Sequence, residues 1–311
     1  MDRVLIMLST YNGERFLREQ LESLYEQKDV DIHLLVRDDG STDGTIGILK
    51  EYSQRYENLT ILEESNIGAL KSFYSLMHYA SENYKDYEYY SFCDQDDVWL
   101  ENKLSESIKY VTAHTNEPQL FYCLTQLVNA SLQPYTAKEN RIENTLGANL
   151  VSNHAAGCTQ VFNYSALEKA SRMYNLAMSW TKGSGYFPLH DTTMSSVCYT
   201  MGKVTVSNTP LMLYRQHGSN VIGIGDSGLK RIKTKIARYI SNTRPRSTRC
   251  QILMQLYGDE MKPEAKILVE QCATYGESFT NRIRLLMNKD VYHYGIVDKI
   301  GVFCTIMLRK F

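Results

Sequence analysis

Val4-Leu5-Ile6-Met7-Leu8-Ser9-Thr10-Tyr11-Asn12-Gly13-Glu14 begins with five apolar residues and then changes to hydroxyls, an amide, a glycine and a carboxylate. A short apolar run closed by turn formers is the pattern of a buried strand. Phe16, Leu17, Leu21, Leu24 and Tyr25 then recur at a spacing near 3.6, which predicts a helix after that strand. Ile32 to Val36 reads as a second strand. It ends in Arg37-Asp38-Asp39-Gly40-Ser41-Thr42-Asp43-Gly44-Thr45, turn and N-cap chemistry ahead of a helix carrying Ile46, Ile48, Leu49 and Tyr52. Leu59 to Leu62 is expected as a third strand and Tyr87 to Phe92 as a fourth. Between them, Gly68 to Asn83 is expected as a helix with Leu70, Phe73, Leu76, Met77 and Ala80 inward. This alternation predicts an α/β fold with a mostly parallel, doubly wound sheet. In such sheets ligands sit beyond the carboxyl ends of the strands, where the polar clusters 9–14, 38–43, 63–68 and 94–97 fall.

The chain has 311 residues, 43% hydrophobic and 22% charged, which suffices for a large core and excludes disordered and collagenous classes. Its net charge of −1 conceals a gradient: residues 1–100 sum to −11, 101–225 to +2 and 226–311 to +8. Between Asp226 and Asp259 there are eight Lys or Arg and no acid, which points to an anionic surface. Seven cysteines without a CxxC pair suggest neither a disulfide framework nor a zinc site, and a reducing compartment is expected. Val4 to Leu8 is too short for a signal peptide. Gly301 to Leu308 falls far below the roughly 18 to 20 residues needed to span a bilayer.

From 120 to 215 the pattern loosens, with β-rich pieces at Leu120 to Leu124, Thr159 to Phe162, Lys203 to Val206 and Leu211 to Tyr214, and one helix after Asp191. The remainder is helical and basic. Two units are therefore expected, 1–222 and 223–311.

Phe92-Cys93-Asp94-Gln95-Asp96-Asp97-Val98-Trp99 places three carboxylates within four residues of a strand end. Close carboxylates repel unless water solvates them or a hard cation sits between them, so a divalent metal is the economical reading. The alternative is an N-cap, with Asp97 starting a helix at Val98. Ser9, Tyr11 and Asp39 fit a pocket in which an aromatic ring stacks on a base and a carboxylate accepts from its N–H edge. Ordinary turn chemistry is the alternative for each of these loops.

Together with Asn66-Ile67-Gly68, these motifs resemble the family 2 glycosyltransferases of the GT-A fold, and within them bacterial rhamnosyltransferase-type enzymes of surface polysaccharide assembly. The resemblance runs from about residue 3 to 222, and no P-loop or GxGxxG competes with it. It implies that Ser9, Tyr11 and Asp39 hold the nucleotide base, with Thr10, Asn12, Glu14 and Gln95 on the same donor side and Asp94 near the ribose or metal. Asp96 would then bind Mn²⁺ or Mg²⁺ through the donor diphosphate. Asn66, Gly68 and Lys71 would border the diphosphate, unless they are simply a turn and a helix start. Ala155-Ala156-Gly157-Cys158-Thr159 resembles the segment lining the sugar and acceptor side. Pro188-Leu189-His190-Asp191 is similar to the family's acidic motif, which implies Asp191 as general base with His190 beside it; a helix N-cap is the alternative. Near its reference pKa of about 3.9 an aspartate is ionised at pH 7 and ready for that role. Leu213-Tyr214-Arg215-Gln216-His217-Gly218-Ser219-Asn220 looks like the family's last signature, implying His217 as a metal ligand and Arg215 as a phosphate partner. Thr192-Thr193-Met194 departs from the aromatic residues common after the His-Asp pair in the rhamnosyltransferase-type relatives, which bears on the acceptor and the donor sugar.

Leu229 to Ile240 alternates Leu229, Ile232, Ile236, Tyr239 and Ile240 with Lys230, Lys233, Lys235 and Arg238, the pattern of a basic amphipathic helix. It is expected to seat the protein on an anionic membrane, or else to dock on the catalytic unit. Val302, Phe303, Ile306, Met307 and Leu308 are expected to add a shallow second contact. Nucleic acid is not expected, since no reader motif accompanies the charge. The sequence thus predicts a metal-dependent inverting transferase on the cytoplasmic face of a bacterial membrane. It would move a sugar, L-rhamnose from dTDP-rhamnose in the first instance, from a nucleoside-diphosphate sugar donor to a lipid-linked saccharide acceptor. A UDP-galactose, UDP-glucose or UDP-N-acetylglucosamine donor, and a non-catalytic nucleotide-sugar binding partner, are the alternatives. A homodimer is compatible with any of them.

Overall fold

In the computed structural model, residues 1–135, 143–217, 246–293 and 295–311 are described. The expected helix at 229–240, and Gly218 to Asn220, lie outside them.

Strands β1 (Asp2–Thr10), β2 (Val30–Asp39), β3 (Leu59–Glu64) and β4 (Tyr89–Cys93) alternate with helices α1 (Leu17–Tyr25), α2 (Thr45–Arg55) and α3 (Ala69–Asn83). After them come β5 (Val98–Trp99), α4 (Lys103–Ile108), β6 (Gln119–Val128), α5 (Leu146–Val151), β7 (Gln160–Phe162), α6 (Tyr164–Ser171), α7 (Tyr174–Ser179), α8 (His190–Met201) and β8 (Lys203–Arg215). Four further helices follow: α9 (Arg246–Tyr257), α10 (Pro263–Thr274), α11 (Phe279–Met287) and α12 (Ile296–Met307). One sheet of order β3-β2-β1-β4-β7-β6-β8-β5 runs through the molecule. Its first four strands are parallel, as the alternating pattern predicts. The pairs β4–β7, β6–β7 and β5–β8 are antiparallel, and β6–β8 is parallel. The fold is therefore the α/β class expected, with a mixed outer half.

Strand β1 shows why five unbroken apolar residues were needed. Side chains alternate across a sheet, so Leu5 and Met7 join one core while Val4, Ile6 and Leu8 join the other. Helices α9 to α12 contribute Leu253, Tyr257, Val269, Leu285, Val302 and Ile306 to the first of these cores, alongside residues of the sheet. The C-terminal helices thus share a hydrophobic interior with the nucleotide-fold half.

Several local expectations change. Residues 98–99 form a strand paired with Leu213 and Met212, so Asp97 caps no helix there and the next helix starts at Lys103. The two β-rich pieces at 203–206 and 211–214 are one strand of 13 residues, with register shifts against Cys123 to Gln126 absorbing the interruption. Helices α5, α6 and α7 were not legible, because segments of six to eight residues carry too few turns to show a period.

Candidate functional site

The carboxyl ends of β1 and β2 are fastened together by side chains. Thr10 Oγ1 donates to Asp38 Oδ1 at 2.8 Å, the Asn12 backbone N–H donates to Ser41 Oγ at 2.9 Å, and Thr42 N–H donates back to Asn12 Oδ1 at 2.8 Å. Glu14 Oε2 accepts from Gly44 N–H at 2.8 Å. Thr10, Asn12 and Glu14, expected on the donor, instead fasten the loops after β1 and β2 to each other. The Gln95 carboxamide pairs with both backbone groups of Tyr11, at 2.9 and 3.0 Å, leaving the Tyr11 ring 48% exposed at the rim. A Cβ at Gly13 would collide with that carboxamide, which explains the glycine. Ser9 Oγ lies 2.6 Å from Ser72 Oγ, on the first turn of α3.

Asp39 is buried and accepts from Ile67 N–H and Gly68 N–H, both at 2.8 Å, and from the Arg37 guanidinium. It thereby fixes the loop after β3, where Gly68 takes a positive φ of 85° that favours glycine. With three donors on two oxygens, a carboxylate retains about one lone-pair site of roughly four for a ligand. Asn66 is exposed on that loop. Lys71 turns away from it: its ammonium donates to the Met178 carbonyl at 2.8 Å, so the expected border with a diphosphate is corrected to a tie between α3 and the last turn of α7.

Beyond β4 the three aspartates separate in role. Asp97 is 1% exposed, accepts from Arg215 N–H at 3.0 Å, and leaves Oδ2 without a hydrogen-bond partner. Burial first, then Asp94 and Asp96, push its carboxyl well above the usual range. Asp94 is half-buried, and burial followed by the Asp96 charge raises it to about 7. Asp96 Oδ2 lies 2.8 Å from His217 Nε2. Asp94 and Asp96 on the open side, with His217, offer the hard oxygen and imidazole donors that suit Mg²⁺ or Mn²⁺. The Asp97 oxygen without a hydrogen-bond partner and the close-set carboxylates fit a divalent cation.

Asp191 stands in the first turn of α8. Its Oδ1 accepts from Thr192 N–H at 2.5 Å, and its charge is near enough to raise Asp94. Gln160 Nε2 donates to the Asp191 carbonyl at 3.0 Å, anchoring the helix start to β7. A helix N-terminus favours an ionised carboxylate.

Three expected site residues move to supporting positions. His190 is 9% exposed, stacks on Phe73 at 3.8 Å and meets Phe92 edge-on at 4.6 Å. Burial drops its pKa to about 3, so it stays neutral and packs rather than meeting a phosphate. Cys158 is buried beside the acidic loop, its ligand atom and those of Asp94 and Asp97 all within 4.8 Å of one another. Arg215 is 1% exposed and its guanidinium is engaged by the Asp96 and Ala130 carbonyls and by Glu19 Oε2. It clamps the acidic loop from behind instead of facing solvent. Gly157 stays small for a visible reason: a Cβ there would stand 2.5 Å from His190 Nε2. The His190 ring is wedged between two phenylalanines and cannot yield. Gly157→Ala is expected to cost about 1–3 kcal/mol, read as a lower urea midpoint; an unchanged midpoint would contradict this packing.

Two participants escaped the sequence. Lys103 is fully buried, its Nζ 2.9 Å from the centre of the Trp99 ring, and burial lowers its pKa to about 8. Among the described residues its ammonium has no hydrogen-bond partner, and Asp97 is one of the acids acting on it. Tyr214 is half-buried, and burial first, then Cys158 and the three aspartates, raise its phenol. A lysine on a helix five residues after an acidic motif carries no local signal of burial.

The sequence model for glycosyl transferase family 2 matches residues 5–169. A dTDP-rhamnosyl transferase of Shigella flexneri, RfbG, is 30% identical over 224 residues, spanning 70% of this chain and 73% of its own length. Among solved structures, S. aureus TarS 1-349 in complex with UDP-GlcNAc superposes with a TM-score of 0.53 at 16% identity, over 98% of this chain and 90% of that one. The mannosyltransferase PcManGT from Pyrobaculum calidifontis, in complex with GDP-Man and Mn²⁺, does so with a TM-score of 0.51 at 16% identity, over 99% and 85%. At these identities the two structures establish a shared fold.

Proposed function

The chain belongs to glycosyl transferase family 2, and on that premise we propose that it is an inverting, metal-dependent transferase acting from a nucleoside-diphosphate sugar. The observation that carries the reading is that Asp191, at the start of α8, is near enough for its charge to act on Asp94, which with Asp96 follows β4. One set of carboxylates suits the cation of a donor diphosphate. The other is a lone base on a different element, as a single in-line displacement requires.

The donor base stacks on the exposed Tyr11 ring, with the remaining acceptor site of Asp39 toward its N–H edge. Asp94, Asp96 and His217 hold the divalent cation, which when bound neutralises charge on the leaving diphosphate. Asp191 takes the proton of the acceptor hydroxyl as that oxygen attacks the anomeric carbon. The relative from Shigella flexneri supports dTDP-rhamnose as donor, and the acceptor is read as a lipid-linked saccharide.

A thermal-shift screen of dTDP, UDP and their sugars with Mn²⁺, Mg²⁺ or EDTA tests the donor, because a ligand selective for the native state raises apparent stability. A metal-dependent rise with dTDP ligands is expected. A rise confined to UDP ligands would replace rhamnose by a hexose, and no rise with any nucleotide would overturn the reading.

The cation effect carries its own pH signature. Asp94 is raised in the folded state from 3.8 to about 7. Its contribution to stability is therefore complete below about pH 4 and is lost as the pH climbs through 7. A cation binds the ionised form and offsets that loss. The Mn²⁺-induced rise in Tm is expected to be larger at pH 7.5 than at pH 5; equal rises would argue against Asp94 as a ligand.

A further inference from the structure

Helix α12, Ile-Val-Asp-Lys-Ile-Gly-Val-Phe-Cys-Thr-Ile-Met, is apolar on both sides. One side, with Gly301, Val302, Thr305 and Ile306, is buried in the core. The opposite side presents Ile296, Ile300, Phe303 and Met307, spaced three to four residues apart, and they are 45–75% exposed. A helix that is hydrophobic all round is normally covered all round. Helix α11, which packs on α12, repeats the pattern: it buries Leu285 and exposes Phe279, Ile283 and Met287, the last by 76%. Seven large apolar side chains on two neighbouring helices exceed the scattered singles of an ordinary surface.

Charge identifies what covers them. From Ser278 to the end of the chain there are six cations, Arg282, Arg284, Lys289, Lys299, Arg309 and Lys310, against two acids. One of those acids, Asp298, is buried, while Arg284, Lys289, Lys299 and Arg309 are exposed. A second copy of the chain on this face would set the same cations against each other, since a two-fold interface brings one patch onto itself. An anionic surface with an apolar interior satisfies both the cations and the apolar side chains. Among the described residues no helix is long and apolar enough to cross a membrane, so such helices lie in its surface.

We propose that the exposed face of α11 and α12 is the seat of this protein on an anionic lipid bilayer. Ile296, Ile300, Phe303 and Met287 enter the headgroup boundary, and Arg284, Lys289, Lys299 and Arg309 meet lipid phosphates. The seat differs from the contact read from the sequence, because Val302 and Ile306 of that contact point into the core. It deepens the reading of a lipid-linked acceptor but stands without it, since the test needs neither donor nor acceptor.

Flotation of the full chain with vesicles of phosphatidylcholine, and of phosphatidylcholine with an equal part of phosphatidylglycerol, tests it. Binding is expected to the mixed vesicles, and to fall as salt rises. Phe303→Asp with Ile300→Asp is expected to weaken binding at least about tenfold, because both apolar side chains would leave the bilayer and charges would take their place. Arg284→Glu with Lys299→Glu is expected to remove the preference for phosphatidylglycerol. Nucleotide-induced thermal shifts of both variants are expected to match wild type, which separates a lost seat from a lost fold. No binding to either vesicle by wild type, binding untouched by the paired aspartates, or a wild-type dimer that Phe303→Asp dissociates in light scattering would each overturn the proposal.

Discussion

Asp191→Asn is expected to lower sugar transfer by about 10²- to 10⁴-fold, the range a positioned general base contributes, with the loss in kcat and donor binding unchanged. The amide keeps the shape of the carboxylate and its Oδ1 still accepts the Thr192 N–H, so the first turn of α8 and its anchor to Gln160 persist. What disappears is the ability to take a proton. Product formation with saturating donor, set beside a nucleotide-induced thermal shift, reads the two effects separately. Turnover within a few-fold of wild type would remove Asp191 from the role of base. An equal loss of donor binding would recast it as part of the donor site.

Arg215→Ala is expected to be strongly destabilising, at about 3–5 kcal/mol, because it removes a fully buried side chain and leaves two backbone carbonyls without their donor. The guanidinium donates to Asp96 O at 2.9 Å, to Ala130 O at 2.7 Å and to Glu19 Oε2 at 2.5 Å, and lies 4.5 Å over the Phe16 ring. No other side chain type supplies this fork in one plane. Arg215→Lys is therefore expected to recover little, whereas Glu19→Gln, which changes a carboxylate that is itself half in solvent, should cost much less. Urea midpoints of the three variants check the order. A stable Arg215→Ala protein that had lost only diphosphate affinity would restore the role suggested by its motif.

The two halves of the fold were unequally legible. Val4 to Leu8 has no polar residue to misplace, and α1 and α3 are long enough for their apolar stripes to repeat, so the alternation of strands and helices and the helix faces followed from period alone. Helices α5 to α7 offered at most two turns each, and β8 carried Asn208 and Pro210 in its middle, which resemble a break when read locally. Within the site, Asp94 and Asp96 were nominated by residue type at a strand end, whereas Asp191 and His217 were nominated only through the resemblance of their motifs to a known family. Lys103 was not, because its burial is created by Trp99 and by cysteines from three distant segments.

The sequence by itself determined the fold class, the strand ends at which chemistry collects, and the residue types able to bind a cation or move a proton. These are properties of period, spacing and functional group, which are fixed along the chain. Tertiary structure decided the direction in which each side chain points. Thr10, Asn12 and Glu14 turned to fasten loops, His190 turned into a phenylalanine pocket, Arg215 turned behind the aspartates, and Ile300 and Phe303 turned out to solvent. Direction depends on register, on packing across 28 to 196 residues of sequence, and on which polar group finds its partner first in space rather than in order.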